Sequence, residues 1–96
     1  MIVPKKIKIA GIWYDIKFVA GLRADDDCSG KSLLTKAKIL LDNDMCADMN
    51  NATCLHEVFE IIKEENQLKI SHRALQTMAT QFYQVIVDNP ELFSCA

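Results

Sequence analysis

Asn50-Asn51-Ala52-Thr53-Cys54-Leu55-His56-Glu57-Val58-Phe59-Glu60-Ile61-Ile62 is the stretch where the hydropathy pattern changes period. Asn50 and Asn51 are good helix N-caps, because a short side-chain oxygen can accept from an orphan backbone N–H of the first turn. From there Ala52, Leu55, Val58, Phe59 and Ile62 recur at the three-and-four spacing of one helical face. The pattern predicts a helix over 51–65 that ends near Asn66. Gln67–Ile70 then connects it to a second helix over 71–88, capped by Ser71. That helix places Leu75, Met78, Ala79, Phe82 and Ile86 on one face and stops at Asn89-Pro90.

Upstream of Asn50 the period is two. Residues 5–19 read as a β-hairpin. Ile7 and Ile9 alternate with Lys6 and Lys8, Ala10-Gly11 supplies the turn, and Trp13, Tyr14, Ile16, Phe18 and Val19 form an aromatic and β-branched run. A solvated loop follows over Gly21–Gly30, marked by Asp25-Asp26-Asp27. It lacks the alternating ligands, central glycine and distal glutamate of a calcium-binding EF-hand loop. Lys31–Leu34 and Lys36–Asp42 read as further strands. The expected fold is therefore α+β: a short N-terminal antiparallel sheet of three or four strands packed on two helices. Residues 1–96 make a single domain, since 96 residues leave no room for a second core.

Composition narrows the function classes. Half the residues are hydrophobic and a quarter charged, as in an ordinary globular chain. A chain this short buries only about 60–65% of its unfolded surface, so a bound metal or a partner would weigh heavily in its stability. The net charge of −2 argues against nucleic acid, which calls for a concentrated basic face. The locally basic Lys5-Lys6-Ile7-Lys8 reads as the solvent side of a strand. No apolar run reaches membrane-spanning length. Cys28, Cys46, Cys54 and Cys95 form no C-x-x-C pair. Without a signal peptide they are expected as reduced thiols in a cytoplasm. Cys54 reads as a small buried hydrophobe.

The residues that can carry chemistry lie on the first helix. His56 and Glu60 are four apart, about 40° around the axis, so their side chains stack on one face. An imidazole nitrogen and a carboxylate oxygen there can reach one divalent ion. Glu57 follows His56 at 100°. In the H-E-x-x-H arrangement the corresponding glutamate binds no metal and moves a proton. The sequence here is H-E-x-x-E, and a carboxylate in place of the second imidazole leaves the metal less positive. A third ligand is required. His72, at the start of the second helix, and Glu64, one turn beyond Glu60, are both open to that role. The bland alternative is a boundary histidine beside a solvated acidic face.

The chain as a whole resembles a group of small phage and prophage proteins with a zincin-like metallopeptidase pattern. The matching features are the lysine-rich strand and "G-x-x-Y" hairpin Lys6–Asp15, Gly30, and the strand Ile39–Asp42. After these come "T-x-x-H-E-x-x-E" at Thr53–Glu60 and the ending Phe82-Tyr83-Gln84-Val85-Ile86-Val87-Asp88-Asn89-Pro90. Ile70-Ser71-His72 matches an "L-x-H" near the second helix. The resemblance covers almost the whole chain, and its force lies in the order and spacing of the motifs. It implies a minimal zincin-like fold, a zinc ion or other divalent metal held by His56, Glu60 and His72, and Glu57 as general base toward a metal-activated water. The implied function is a zinc-dependent, peptidase-like hydrolase in the host cytoplasm, with a peptide or protein partner. The alternative is a non-catalytic phage accessory protein that binds a host or phage protein. No substrate cleft is expected in so short a chain.

Overall fold

A computed structural model describes residues 1–22 and 29–94. The Asp25-Asp26-Asp27 loop, Cys28 and Cys95 lie outside the described residues. The elements follow in order: β1 (Lys6–Ile9), β2 (Ile12–Val19), β3 (Gly30–Leu33), β4 (Lys38–Asp42), α1 (Ala47–Glu65) and α2 (His72–Asp88). Short 3₁₀ turns occupy Leu34–Lys36 and Pro90–Phe93. The α+β architecture read from the sequence is the one observed.

The hairpin β1–β2 turns at Ala10-Gly11, where both residues have positive φ, 51° and 82°. Such a pair matches the right-handed twist of the strands it joins, and glycine adopts it without a Cβ penalty. The sheet order is β1-β2-β4-β3. Two of its three pairings are antiparallel, but β2 and β4 run parallel, with Ile16 opposite Ile39 and Phe18 opposite Leu41. The sheet is thus mixed, not wholly antiparallel. The reason is burial. Ile39 and Leu41 are fully buried, so β4 takes a central position with a neighbour on each side. Gly30-Lys31-Ser32 is poor in apolar area and goes to the edge. The chain passes from β2 to that edge, reverses through Leu34–Lys36 with Ala37 in the left-handed region, and returns as β4 between them.

One face of the sheet, through Ile9, Tyr14, Ile16, Ile39 and Leu41, packs against Cys54 and Ile61 of α1. Trp13 and Phe18, read as part of the strand run, are exposed. Alternation sends Trp13 to the open face of the sheet, while Phe18 stands at the sheet margin beside Met1, Val3 and Ala47.

Helix α1 begins earlier than its asparagines suggest, at Ala47 after Cys46. Asn51 is not a cap. It is buried inside the helix, donating through Nδ2 to the Met1 carbonyl at 3.1 Å and to Tyr83 Oη at 3.2 Å. The most buried residues of α1 are Asn51, Cys54, His56, Glu57 and Ile61, not the predicted stripe of Ala52, Leu55, Val58, Phe59 and Ile62. The periodicity was sound, but α1 is covered on two sides, by the sheet and by α2. Its buried surface is wider than one stripe and takes in polar positions.

The reversal after α1 follows the Schellman pattern. Gln67 sits at φ 52°, the Leu68 N–H donates to the Lys63 carbonyl at 2.9 Å, and the Gln67 N–H to the Glu64 carbonyl at 3.3 Å. Ser71 then caps α2 as expected, its Oγ accepting from the Ala74 N–H at 3.1 Å. Leu75 and Ala79 are buried against α1, whereas Met78 and Phe82 of the predicted stripe are exposed. On that side Phe82 meets Phe59 of α1 and Phe93 of the Pro90–Phe93 turn, each edge to face.

Candidate metal centre

The tight antiparallel reversal carries the first residue of α2 back over the last turns of α1. His72 thereby meets two residues sixteen and twelve positions upstream. His56 Nε2 lies 3.7 Å and His72 Nδ1 3.8 Å from the same oxygen, Oε1 of Glu60. The two imidazoles stand edge to face with ring centres 4.8 Å apart. One ligand atom from each of the three residues falls within 4.8 Å of the others. Donor atoms around a tetrahedral zinc stand about 3.3 Å apart, given bonds of about 2.0–2.1 Å. The cluster can therefore coordinate a divalent ion once the two Glu60 contacts close by about 0.5 Å and the histidine pair by up to about 1.5 Å.

The three positions are graded in exposure: His56 is buried, Glu60 half-buried and His72 exposed. Burial, with a smaller push from the neighbouring His72, holds the His56 imidazole below its ordinary pKa, against an opposing pull from Glu60. A neutral imidazole is the form that offers a lone pair to a metal. Glu64, the competing third ligand, lines the same depression but turns out to Lys63, 3.8 Å away. Geometry thus selects His72 for the cluster. One expected feature is missing. The Nδ1 of His56 is buried with no hydrogen-bond partner, where a ligating imidazole is ordinarily braced by an acceptor on its second nitrogen.

Glu57 does not point to solvent. It is buried under the edge strand, and Ser32 Oγ donates to its Oε1 at 2.7 Å. Gly30, on the same side of β3, leaves the space. A Cβ there would come within 2.6 Å of Thr53 Cγ2 and 3.2 Å of Glu57 Cγ. The absent side chain lets the strand backbone close on α1. Burial pushes the Glu57 carboxyl above the usual carboxylate range, while the Ser32 hydrogen bond works in the opposite direction. Burial, together with the Glu57 charge, pushes the adjacent Cys54 thiol up to about 11, so it stays a neutral core group at ordinary pH.

Two depressions flank these residues and share Gly30, His56, Glu57 and His72. One, of about 430 Å³, is also lined by Met49, Ala52, Thr53 and Gln76. The other, of about 310 Å³, is also lined by Lys31, Ser32, Leu34, Glu60 and Glu64. Two open depressions therefore lie side by side along the β3 edge. They are assembled between a strand edge and two helices, which no single segment reveals. Sequence reasoning also missed Ser32 as the partner of Glu57. The available signal was its place two residues after Gly30, on the same strand face. No helix among the described residues is long and apolar enough to cross a membrane. The chain matches no family model, no curated protein and no solved structure.

Proposed function

We propose that this chain is a divalent-metal hydrolase of the zincin type acting on peptide bonds, with His56, Glu60 and His72 as the metal ligands and zinc as the ion. The observation that carries the reading is the convergence of His56, Glu60 and His72 from two separate helices beside a buried glutamate. An ion in that set would supply a Lewis acid that polarises a carbonyl and lowers the pKa of a water. The chain's own groups do the rest. His56 and His72 would contribute imidazole nitrogens, and Glu60 a carboxylate oxygen. Ser32 occupies Oε1 of Glu57, which leaves Oε2 to take a proton from water and return it to the leaving amine. Gly30 and Ser32 hold that carboxylate at the wall of the two depressions, where a carbonyl could lie between it and the histidines.

The test uses protein purified without a polyhistidine tag. Elemental analysis should find close to one equivalent of zinc or another divalent metal, and His72→Ala should lower that occupancy. Glu57→Gln should keep the metal but slow cleavage of a denatured-protein substrate by about 10²- to 10⁴-fold, the usual contribution of a general base. Metal-free protein that takes up none on titration would end the proposal. A second reading is favoured by the exposure of Met78, Phe82 and Phe93: a non-catalytic accessory protein that docks on a host or phage protein through α2. A partner retained equally by Glu57→Gln and by chelator-treated protein supports that reading instead.

A further inference from the structure

The acidic pI averages two halves of opposite sign. The strand register places Lys6 beside Asp15, Asp15 beside Lys38, and Lys38 beside Leu33. The next row is Lys17, Leu40 and Lys31, and Lys8 pairs with Trp13. Residues paired across strands share a face, and this is the face turned away from α1. It therefore carries Lys6, Lys8, Lys17 and Lys38 against the single aspartate Asp15, while Lys31, on the edge strand, also lines the depression beside Glu57. Asp42 closes the same face at one end but is buried, its carboxylate accepting from the Asp44 N–H. Among the described residues, Lys6, Lys8, Lys17 and Lys38 enter no ion pair. Glu57, Glu60, Glu64 and Glu65 all lie on α1, across the sheet. A helix layer is about 10 Å thick, close to the screening length at about 0.1 M salt, so those charges weaken the basic face little.

Trp13 adds a second kind of contact. It is 58% exposed at the end of this face, and the Lys8 ammonium lies 5.8 Å from its ring centre, within cation–π range. An indole that spends its apolar surface on solvent is a ready stacking platform. Lysines two residues apart on one strand stand about 7 Å apart, comparable to the step between successive phosphates of an extended single strand.

We infer that the open face of the sheet binds single-stranded nucleic acid, the lysines holding phosphates and Trp13 stacking on a base. This surface is independent of the metal centre, which lies on the other side of the molecule. The exposed ring at the border of the lysines favours a nucleic acid over an acidic protein helix, because an indole stacks on a base. Of the residues on this face Trp13 alone is an exposed large hydrophobic, which leaves little for a bilayer to take up.

Trp13 is the only tryptophan in the chain, so its fluorescence reads the site directly. The full chain is titrated at low salt with a 15-nucleotide oligothymidylate, a 15-base-pair duplex, and vesicles of phosphatidylserine and phosphatidylcholine. The oligothymidylate should quench Trp13. Its log K should fall with log[salt] at a slope of about −2 to −3.5, or about −0.7 for each of three to five phosphates. Trp13→Ala, followed by anisotropy of a labelled oligonucleotide, should weaken binding about 5- to 150-fold. Lys8→Glu/Lys17→Glu should abolish it, and Lys69→Glu on the helical side should not change it. The variants are checked by circular dichroism, and the wild-type salt slope stands without them. No quenching by the oligonucleotide overturns the inference. So does binding that survives Lys8→Glu/Lys17→Glu, equal duplex binding without quenching, or a Trp13 response to vesicles alone.

Discussion

Helix α1 is covered on two sides, and α2 on one. α1 lies against the sheet through Cys54 and Ile61 and against α2 through the other face. Of α2 only Leu75 and Ala79 are fully buried, while Met78, Phe82 and Val87 remain exposed. The candidate site straddles this difference. His56, Glu57 and Glu60 belong to the well-covered helix, and His72 to the first turn of the lightly covered one. A local opening of α2 would remove one ligand and leave the others in place. An ion at the cluster would tie the weaker element to the stronger, so metal affinity and the order of α2 should rise and fall together.

The largest effect expected is in the sheet. Leu41→Ala removes a side chain with no exposed surface and should cost about 2–5 kcal/mol by denaturant unfolding. A loss below 1 kcal/mol would show that the sheet is not the stronger part. Metal comes next. At a free zinc concentration of about 100 times Kd, stability should rise by about 2.7 kcal/mol. Amide hydrogen exchange should show the added protection concentrated in α2, and chelation should reverse it. Protection spread evenly over the sheet would break the proposed division. Ser71→Ala deletes the cap of α2 and should cost about 1 kcal/mol. Zinc affinity should fall with it although Ser71 is no ligand, and isothermal titration would detect an unchanged affinity as the contrary result. The smallest effect is at Met78. Because it faces solvent, Met78→Ala should change stability by no more than about 0.5 kcal/mol; a larger loss would mean that this side of α2 is covered in solution.

The hairpin turn at Ala10-Gly11, the Ser71 cap and the stop at Asn89 were legible because each is a local event. Positive φ, a hydroxyl acceptor and a proline act within a few residues. Four-residue spacing put His56 and Glu60 on one face for the same reason. The choice between His72 and Glu64 was not legible. It depended on how far the reversal after Asn66 carries the chain back, which the Gln67 conformation and the Leu75 and Ala79 packing decide together. Asn51 was misread as a cap because its partners, the Met1 carbonyl and Tyr83, are distant in sequence.

The sequence by itself determined the kinds of element, their order, and the set of residues able to bind a metal, since periodicity and turn chemistry are properties of neighbouring residues. Only the tertiary structure decided which strand lies beside which, and with that most of what bears on function. Placing β4 inside and β3 at the edge brings Gly30 and Ser32 onto Glu57. Covering α1 from two sides buries His56 and Glu57 at positions that periodicity left outside its apolar stripe. Packing the sheet on α1 sends the lysines of β1, β2 and β4 to one open face and the glutamates of α1 to the other side, a segregation that a net charge of −2 conceals. Each of these results depends on contacts between distant segments, and such contacts form only when apolar faces of different elements compete for the same core.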